Sequence, residues 1–219
     1  MAEKTSLLIE IVSDVVCPWC FIGLRRLDKA LALVNEQYPD THCTPSWRPF
    51  FLNPDSPPEG EPYLPFLVRK FGSLEKVQGI FQRVRDAGAD YGLEYCFEKI
   101  QVRANTLKAH RLIHWAQQQG DPRPLVERLF VGQFQRGENV SDIGALVNIA
   151  GECGFDQATV ASFLASDEDE TLVLEMEKES RSWGVNVVPT FVVGRKLIIP
   201  GAEDPQILAD AIVNHLRMT

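Results

Sequence analysis

The sequence has no uninterrupted apolar run approaching the ~18 residues needed to cross a bilayer, so no membrane association is expected. It has no basic excess either: 22 Lys and Arg stand against 30 Asp and Glu, for a net charge of −8. Binding nucleic acid requires cations that neutralise phosphates, so that class of partner is excluded. Cysteine is scarce and odd in number, with five residues at positions 17, 20, 43, 96 and 153. A secreted disulfide scaffold would show a denser, even set. The start of the chain, Met1 to Thr5, is short and polar, and the apolar run after it is cut by Glu10 and Asp14. That is not the long apolar stretch of a secretory signal, and a cytoplasmic protein is expected. In a reducing compartment, Cys43, Cys96 and Cys153 read as small apolar core residues or sensor thiols rather than disulfide partners. Internal repeats and low-complexity segments are also lacking.

What is present is an ordinary globular composition, 45% hydrophobic and 24% charged over 219 residues. This suits one large domain, or one domain carrying a substantial insert. Leu7-Leu8-Ile9-Glu10-Ile11-Val12 is a nearly continuous β-favouring run, as in a central strand covered on both faces. An amphipathic helix follows Cys17, with Leu24, Leu27, Leu31 and Val34 on one face. His42 to Phe51 is a second strand, and Pro45 and Pro49 remove two ladder donors, which predicts a sheet edge. Asn53 to Pro65 carries five prolines and a glycine and reads as a loop leaving the first subdomain.

From about Leu64 to Gly184 the apolar period is helical. Asn105 or Thr106, Ser141 or Asp142, and Asp156 are candidate caps, and Gly120, Gly137 and Gly184 are stops. Strand character returns at Pro189 to Val193 and Lys196 to Ile199, around a Gly194-Arg195 turn with glycine first. Asp204-Pro205 then opens a closing helix. The order predicts an α/β fold with a helical insertion: residues 1–62 and 184–219 form a discontinuous domain, and residues 63–183 the insertion.

The chemistry concentrates at Cys17-Pro18-Trp19-Cys20. Two cysteines three apart at a helix start can close a small disulfide ring. Cys17 sits where the positive end of the helix dipole and free N–H groups favour a thiolate, the nucleophilic form. Cys20, one turn further, is placed to resolve the mixed disulfide. Zinc would need two more ligands at short spacing, and Cys43, Cys96 and Cys153 are singletons, so no metal is expected. Trp19 is a contact surface for an apolar substrate segment or a packing residue. His110 and His114 share a helix face without a third ligand and read as packing or polar-face residues.

Strand, CPWC and amphipathic helix, followed far downstream by Val188-Pro189-Thr190-Phe191, resemble the thioredoxin superfamily, and the gap of 169 positions from Cys20 to Pro189 resembles its DsbA family. Four segments resemble the FrnE-like branch: Ser13-Asp14-Val15-Val16 running into CPWC-Phe21-Ile22-Gly23, Arg48-Pro49-Phe50 with Leu52-Asn53-Pro54, Asn105-Thr106 with Ala109-His110, and the VPTF segment with Gly201-Ala202. The resemblance implies a thioredoxin-like fold around a mixed four-stranded sheet. It makes Cys17 the nucleophile, Cys20 the resolver, and Pro189 a cis-proline that leaves the backbone of Val188 open to a substrate strand. It makes Pro18, Trp19, Asp14, Asn105 and His110 candidate lining residues of a substrate groove.

There is one departure. Many relatives carry a buried acid six residues before the first cysteine, where this chain has Ile11. Glu10 has the opposite strand parity, and a carboxylate at Asp14 would oppose thiolate formation. The expected function is a thiol–disulfide oxidoreductase or isomerase acting on protein disulfides, without a bound cofactor and with glutathione as a possible reductant or ligand. The alternatives are a glutathione-dependent small-molecule isomerase or transferase, similar to 2-hydroxychromene-2-carboxylate isomerase and kappa-class glutathione transferase, and a non-enzymatic holdase or zinc-stabilised binding module. The relatives in the first alternative generally use Ser where this chain has Cys17. The partners expected are a disulfide-containing protein or a small thiol; the sequence does not set the oligomeric state.

Overall fold

The computed structural model describes residues 5–218, with the Thr5 side chain left aside. Most of the polar start of the chain lies outside that range. By compactness the chain forms two units. One runs through Phe50 and resumes at Met176; the other is Phe51–Glu175.

The first unit is built on a four-stranded mixed sheet in the order β2-β1-β5-β6. Strand β1 (Thr5–Ser13) pairs in parallel with β2 (Thr41–Pro49) and antiparallel with β5 (Thr190–Val193). Strand β6 (Leu197–Pro200) closes the far edge. The β1 run is buried from Ile9 to Asp14, as a strand covered on both faces must be. Pro45 and Pro49 do fall on an edge strand, opposite Ile9 and Ser13, where their missing N–H groups cost no ladder bond on the outer side.

Helix α1 (Pro18–Gln37) returns along the sheet, burying Leu24, Leu27, Ala30 and Val34, and packs against the closing helix α9 (Pro205–Arg217). Asp204 caps α9 by accepting from the Gln206 N–H at 2.8 Å. Strand parity assigns the two faces of the sheet. Ile11 pairs with Phe191, which lies beneath Gly23 of α1. Val12 and Val192 point to the opposite face and pack with Phe50, Trp183 and Val185.

The β5–β6 connection has Gly194 and Arg195 at the centre of its turn, glycine first, as expected. The pairing leaves three residues, Gly194 to Lys196, between the strands, and Arg195 as well as Gly194 is left-handed, with φ of 56° at each. The Lys196 N–H closes the turn onto the Val193 carbonyl at 3.1 Å. Two consecutive left-handed residues match the right-handed twist of a hairpin.

The second unit is mostly helical: α2 (Tyr63–Phe71), α3 (Leu74–Ala89), α4 (Leu107–Gln119), α5 (Arg123–Val131), α6 (Ile143–Glu152) and α7 (Gln157–Ala165). Helix α8 (Glu170–Ser182) begins in this unit and ends in the first. Asp142 and Asp156 cap α6 and α7 through the Ala145 and Thr159 N–H groups, each at 2.8 Å. Asn105 accepts from the Leu107 N–H at 3.1 Å, so both Asn105 and Thr106 serve the start of α4.

Two features interrupt the helical reading of 64–184. Strands β3 (Glu61–Pro62) and β4 (Val102–Arg103) form a two-residue ladder, and α5 runs on into a π-helical turn over Gly132–Arg136 that ends at left-handed Gly137. Arg103, 4% exposed, ties the ladder to Asp55 and Glu61 and stacks on Phe66 at 3.8 Å.

A buried ion pair holds the end of α8 to the sheet. Arg48, at the C-terminal end of β2, donates from Nη1 to Glu10 Oε1 at 3.1 Å, from Nε to Ser180 Oγ at 3.0 Å and from Nη2 to the Met176 carbonyl at 3.2 Å. It also pairs with Glu179, and its guanidinium stacks on Trp183 at 4.4 Å. These bonds hold the chain from Met176 onward with the sheet, in the first compact unit.

Candidate active site

The site begins where β1 ends. Asp14 to Val16 turn the chain, the Cys17 N–H donates to the Asp14 carbonyl at 3.0 Å, and Cys17 becomes the N-cap of α1 with extended dihedrals (φ −94°, ψ 110°). Pro18 follows at the first helical position, where its fixed φ fits and its missing N–H would have had no helical partner. The first turn contains no acidic side chain, so nothing on the helix itself offsets the positive end of its dipole beside Cys17.

Both sulfurs are free thiols and nearly inaccessible, Cys17 at 4% and Cys20 at 3% exposure. They are not equivalent. Burial pushes the Cys20 thiol well above its ordinary pKa, and the hydrogen bond and charge of Cys17 push the same way; the Asp14 carboxylate adds to the rise, while a backbone hydrogen bond from Asp14 works against it. Cys20 therefore holds its proton while it is hydrogen-bonded to Cys17. Trp19, between them, is exposed at 39%.

The other wall comes from the segment before β5. The Val188–Pro189 peptide bond is cis. The Cys17 thiol donates to the Val188 carbonyl at 3.6 Å, a contact spanning 171 positions of sequence. Thr190 Oγ1 donates back to the Val187 carbonyl at 2.8 Å, and the Gly201 N–H donates to the Pro189 carbonyl at 2.7 Å. Val187 is exposed and Val188 half-buried. Arg26 of α1 donates to the Ala202 carbonyl just beyond. The structure thus brings together Cys17, Pro18, Trp19, Cys20, Asp14, Val188 and Pro189.

Asn105 and His110 belong to the second unit. Asn105 Nδ2 donates to the Ser56 carbonyl at 2.8 Å, and the His110 ring, 4% exposed, meets Phe51 edge-on at 5.4 Å. His114 lies 4.0 Å from Asp169. Among the described residues no group of three or more His, Cys, Asp or Glu is placed to hold a metal ion, and no helix is long and apolar enough to cross a membrane.

Glu10 faces away from the cysteines, as its parity required, and is committed to Arg48 rather than being a spare acid. Sequence reasoning did not find one participant of the site. Gly23 was quoted only as part of a motif; it is the point where α1 touches Pro189. A glycine in the interior of an amphipathic helix was the available signal.

Residues 8–213 match the DSBA-like thioredoxin domain. Among curated proteins the chain is similar to the uncharacterized protein YwbO of Bacillus subtilis (strain 168), 25% identical over 210 residues, which cover 95% of this chain and 97% of that one. Among solved structures it resembles a probable DsbA oxidoreductase, SCO1869 from Streptomyces coelicolor, with a TM-score of 0.86, 28% identity, and coverage of 97% of this chain and 91% of that one. A 2-hydroxychromene-2-carboxylate isomerase shares the fold at 16% identity, with a TM-score of 0.65 over 96% of this chain and 97% of that one.

Proposed function

Because the chain belongs to the DsbA-like thioredoxin family, whose members act on thiols and disulfides, we propose that it is a protein thiol–disulfide oxidoreductase in which Cys17 attacks and Cys20 resolves. The observation that carries this reading is the asymmetry of the pair: Cys17 caps α1 under the Val188 carbonyl at 3.6 Å, whereas burial and Cys17 itself keep Cys20 protonated. The exposed Trp19 and Val187 flank Cys17 and offer apolar surface to an extended substrate.

In the reducing direction the Cys17 thiolate attacks one sulfur of a substrate disulfide. The substrate S–S bond breaks, a Cys17–substrate disulfide forms, and the released substrate thiolate takes a proton. Cys20 then gives up its proton and attacks Cys17 Sγ. The second substrate thiol leaves, and the Cys17–Cys20 disulfide holds the oxidised state. Two electrons pass to the substrate, and a cellular thiol such as glutathione resets the pair by the reverse exchange. The buried Cys20 must lose its proton for the second step, so low pH slows resolution. Cytoplasmic location, net reduction or isomerisation, and membership of the FrnE-like branch complete the reading. They rest on the sequence motifs.

The test is to replace Cys20 with Ala, incubate the protein with cell lysate, and identify what is held on Cys17. Protein adducts joined through Cys17 are expected. Glutathione as the sole adduct moves the function to a small-molecule enzyme on the same fold, and no adduct at all overturns the reading.

A further inference from the structure

Gly23 lies in the interior of α1, one helical turn beyond Cys20, and its backbone has no left-handed angle that would require glycine. A helix-interior glycine is unfavourable relative to alanine, because it gives up more chain entropy. What the position does require is space. A Cβ on residue 23 would lie 2.6 Å from Pro189 Cγ, 3.3 Å from Pro189 Cβ and 3.4 Å from Phe191 Cζ. The first of these is closer than two carbons can pack.

We propose that Gly23 is a positioning residue: its missing side chain seats the Pro189 ring on α1 and thereby holds the Val188 carbonyl against the Cys17 sulfur. The proposal rests on the reading of Cys17 as the nucleophile.

The neighbours decide which atoms give way when the space is filled. Helix α1 is anchored by the buried Leu24, Leu27 and Ala30 and by its packing on α9. Phe191, 1% exposed, is fixed between Ile11 and Ile199 in the sheet. The Pro189 ring closes onto its own backbone nitrogen, so moving the ring moves the Val188–Pro189 peptide. That segment lies outside helix and strand, with Asn186 and Val187 exposed and Val188 half-buried, and is held by the Gly201 N–H on the Pro189 carbonyl and the Thr190 hydroxyl on the Val187 carbonyl. A group at residue 23 is therefore relieved by lifting Val188 and Pro189 off the helix. The Cys17-to-Val188 contact, already 3.6 Å, is lost by that movement. Two consequences follow with opposite sign. Cys17 loses the backbone that covers it and becomes more accessible to small reagents. It also loses the backbone edge that aligns a substrate disulfide, and misplacement by about 1 Å can slow a reaction about 100-fold.

The experiment compares wild type, Gly23→Ala, Pro189→Ala and the double variant. It reads the rate of iodoacetamide alkylation at Cys17, located by peptide mapping, and kcat/KM for reduction of a disulfide-bonded peptide. Gly79→Ala is the control, since it makes the same change on α3, where nothing lies within 4 Å of the added carbon. Gly23→Ala is expected to alkylate several-fold faster and to reduce the peptide about 10- to 100-fold more slowly. Adding it to Pro189→Ala, which has no Cγ, changes neither rate more than about twofold, because residues that act through one contact are not additive. The proposal is overturned if Gly23→Ala behaves like wild type in alkylation, or if its effect is undiminished in the Pro189→Ala background. If Gly23→Ala does not fold, the double variant is expected to fold, and its failure to fold also overturns the proposal. Absence of peptide reduction by wild type would remove the nucleophile reading alone, because the alkylation rates still test the contact.

Discussion

Replacing Arg48 with Met isolates the energy of the buried polar cluster that fastens α8 to the sheet. Glu10 is 2% exposed and Arg48 9%, and Arg48 Nη1 to Glu10 Oε1 at 3.1 Å is the tight end of their pairing. The substitution keeps most of the apolar stem over Trp183 and removes the cation. Glu10 is left with Arg195, which stands 3.9 Å away and is 73% exposed, a weak and solvated substitute. The Glu179 pair is largely exposed on the carboxylate side and adds little to the loss.

Removing one partner of a buried ion pair costs about 3–5 kcal/mol. In a chain of this size each kcal/mol lowers Tm by about 2–4 °C, so a fall of about 6–20 °C is expected in scanning calorimetry. The partner variant separates charge from packing. Glu10→Leu combined with Arg48→Met should recover most of the lost stability, because an apolar pair of similar volume replaces a buried ion pair at little net cost. A single Arg48→Met within about 1 kcal/mol of wild type, or a double variant as unstable as the single one, would refute the argument that Arg48 acts by neutralising Glu10.

Two further outcomes follow from surface features of the second unit. Asp142→Ala removes the side-chain acceptor for the Ala145 N–H at the start of α6 and should cost about 1 kcal/mol in urea unfolding, with an unchanged m-value. Glu152 is held at a pKa of about 2, against an ordinary 4.5, chiefly by its hydrogen bond from Arg128 and further by the charges of Arg128 and Arg136. A depressed carboxylate stabilises the fold above its unfolded pKa, so its contribution is lost as pH falls from about 4.5 through about 2. Glu152→Gln should flatten that part of the acid-unfolding curve, and an unchanged slope would contradict the assignment.

The parts of the fold that were legible in the sequence were those written in local rules. Pro45 and Pro49 announced an edge strand because a missing N–H is a property of the residue itself. Asp142 and Asp156 announced helix starts because a cap needs only the next three residues. Cys17-Pro18 announced the head of α1 for the same reason. The illegible parts depended on partners distant in sequence. The β3–β4 ladder is two residues long, too short to show a period of two, and its register depends on Arg103 reaching Asp55 and Glu61 more than 40 positions back. The Gly194-Arg195 turn was legible from its leading glycine, but the left-handed backbone of Arg195 was not, because arginine carries no local preference for that region. Within the site, the cysteines were legible and the seat of Pro189 was not, because the meaning of Gly23 depends on a ring 166 positions away.

The central claim is that Cys17 and Cys20 form a working redox pair, and the most direct measurement is a disulfide map after mild oxidation. Purified protein is treated with a small excess of oxidised lipoic acid, its remaining thiols are alkylated, and its peptides are weighed. The account predicts that the peptide carrying Cys17 and Cys20 loses two hydrogens and refuses the alkylating agent, and that a dithiol reverses the change. It also predicts that Cys43 and Cys153, whose thiols burial pushes above their ordinary pKa, stay reduced and are alkylated slowly. A Cys17–Cys20 peptide that remains fully alkylated while the other thiols oxidise would contradict it.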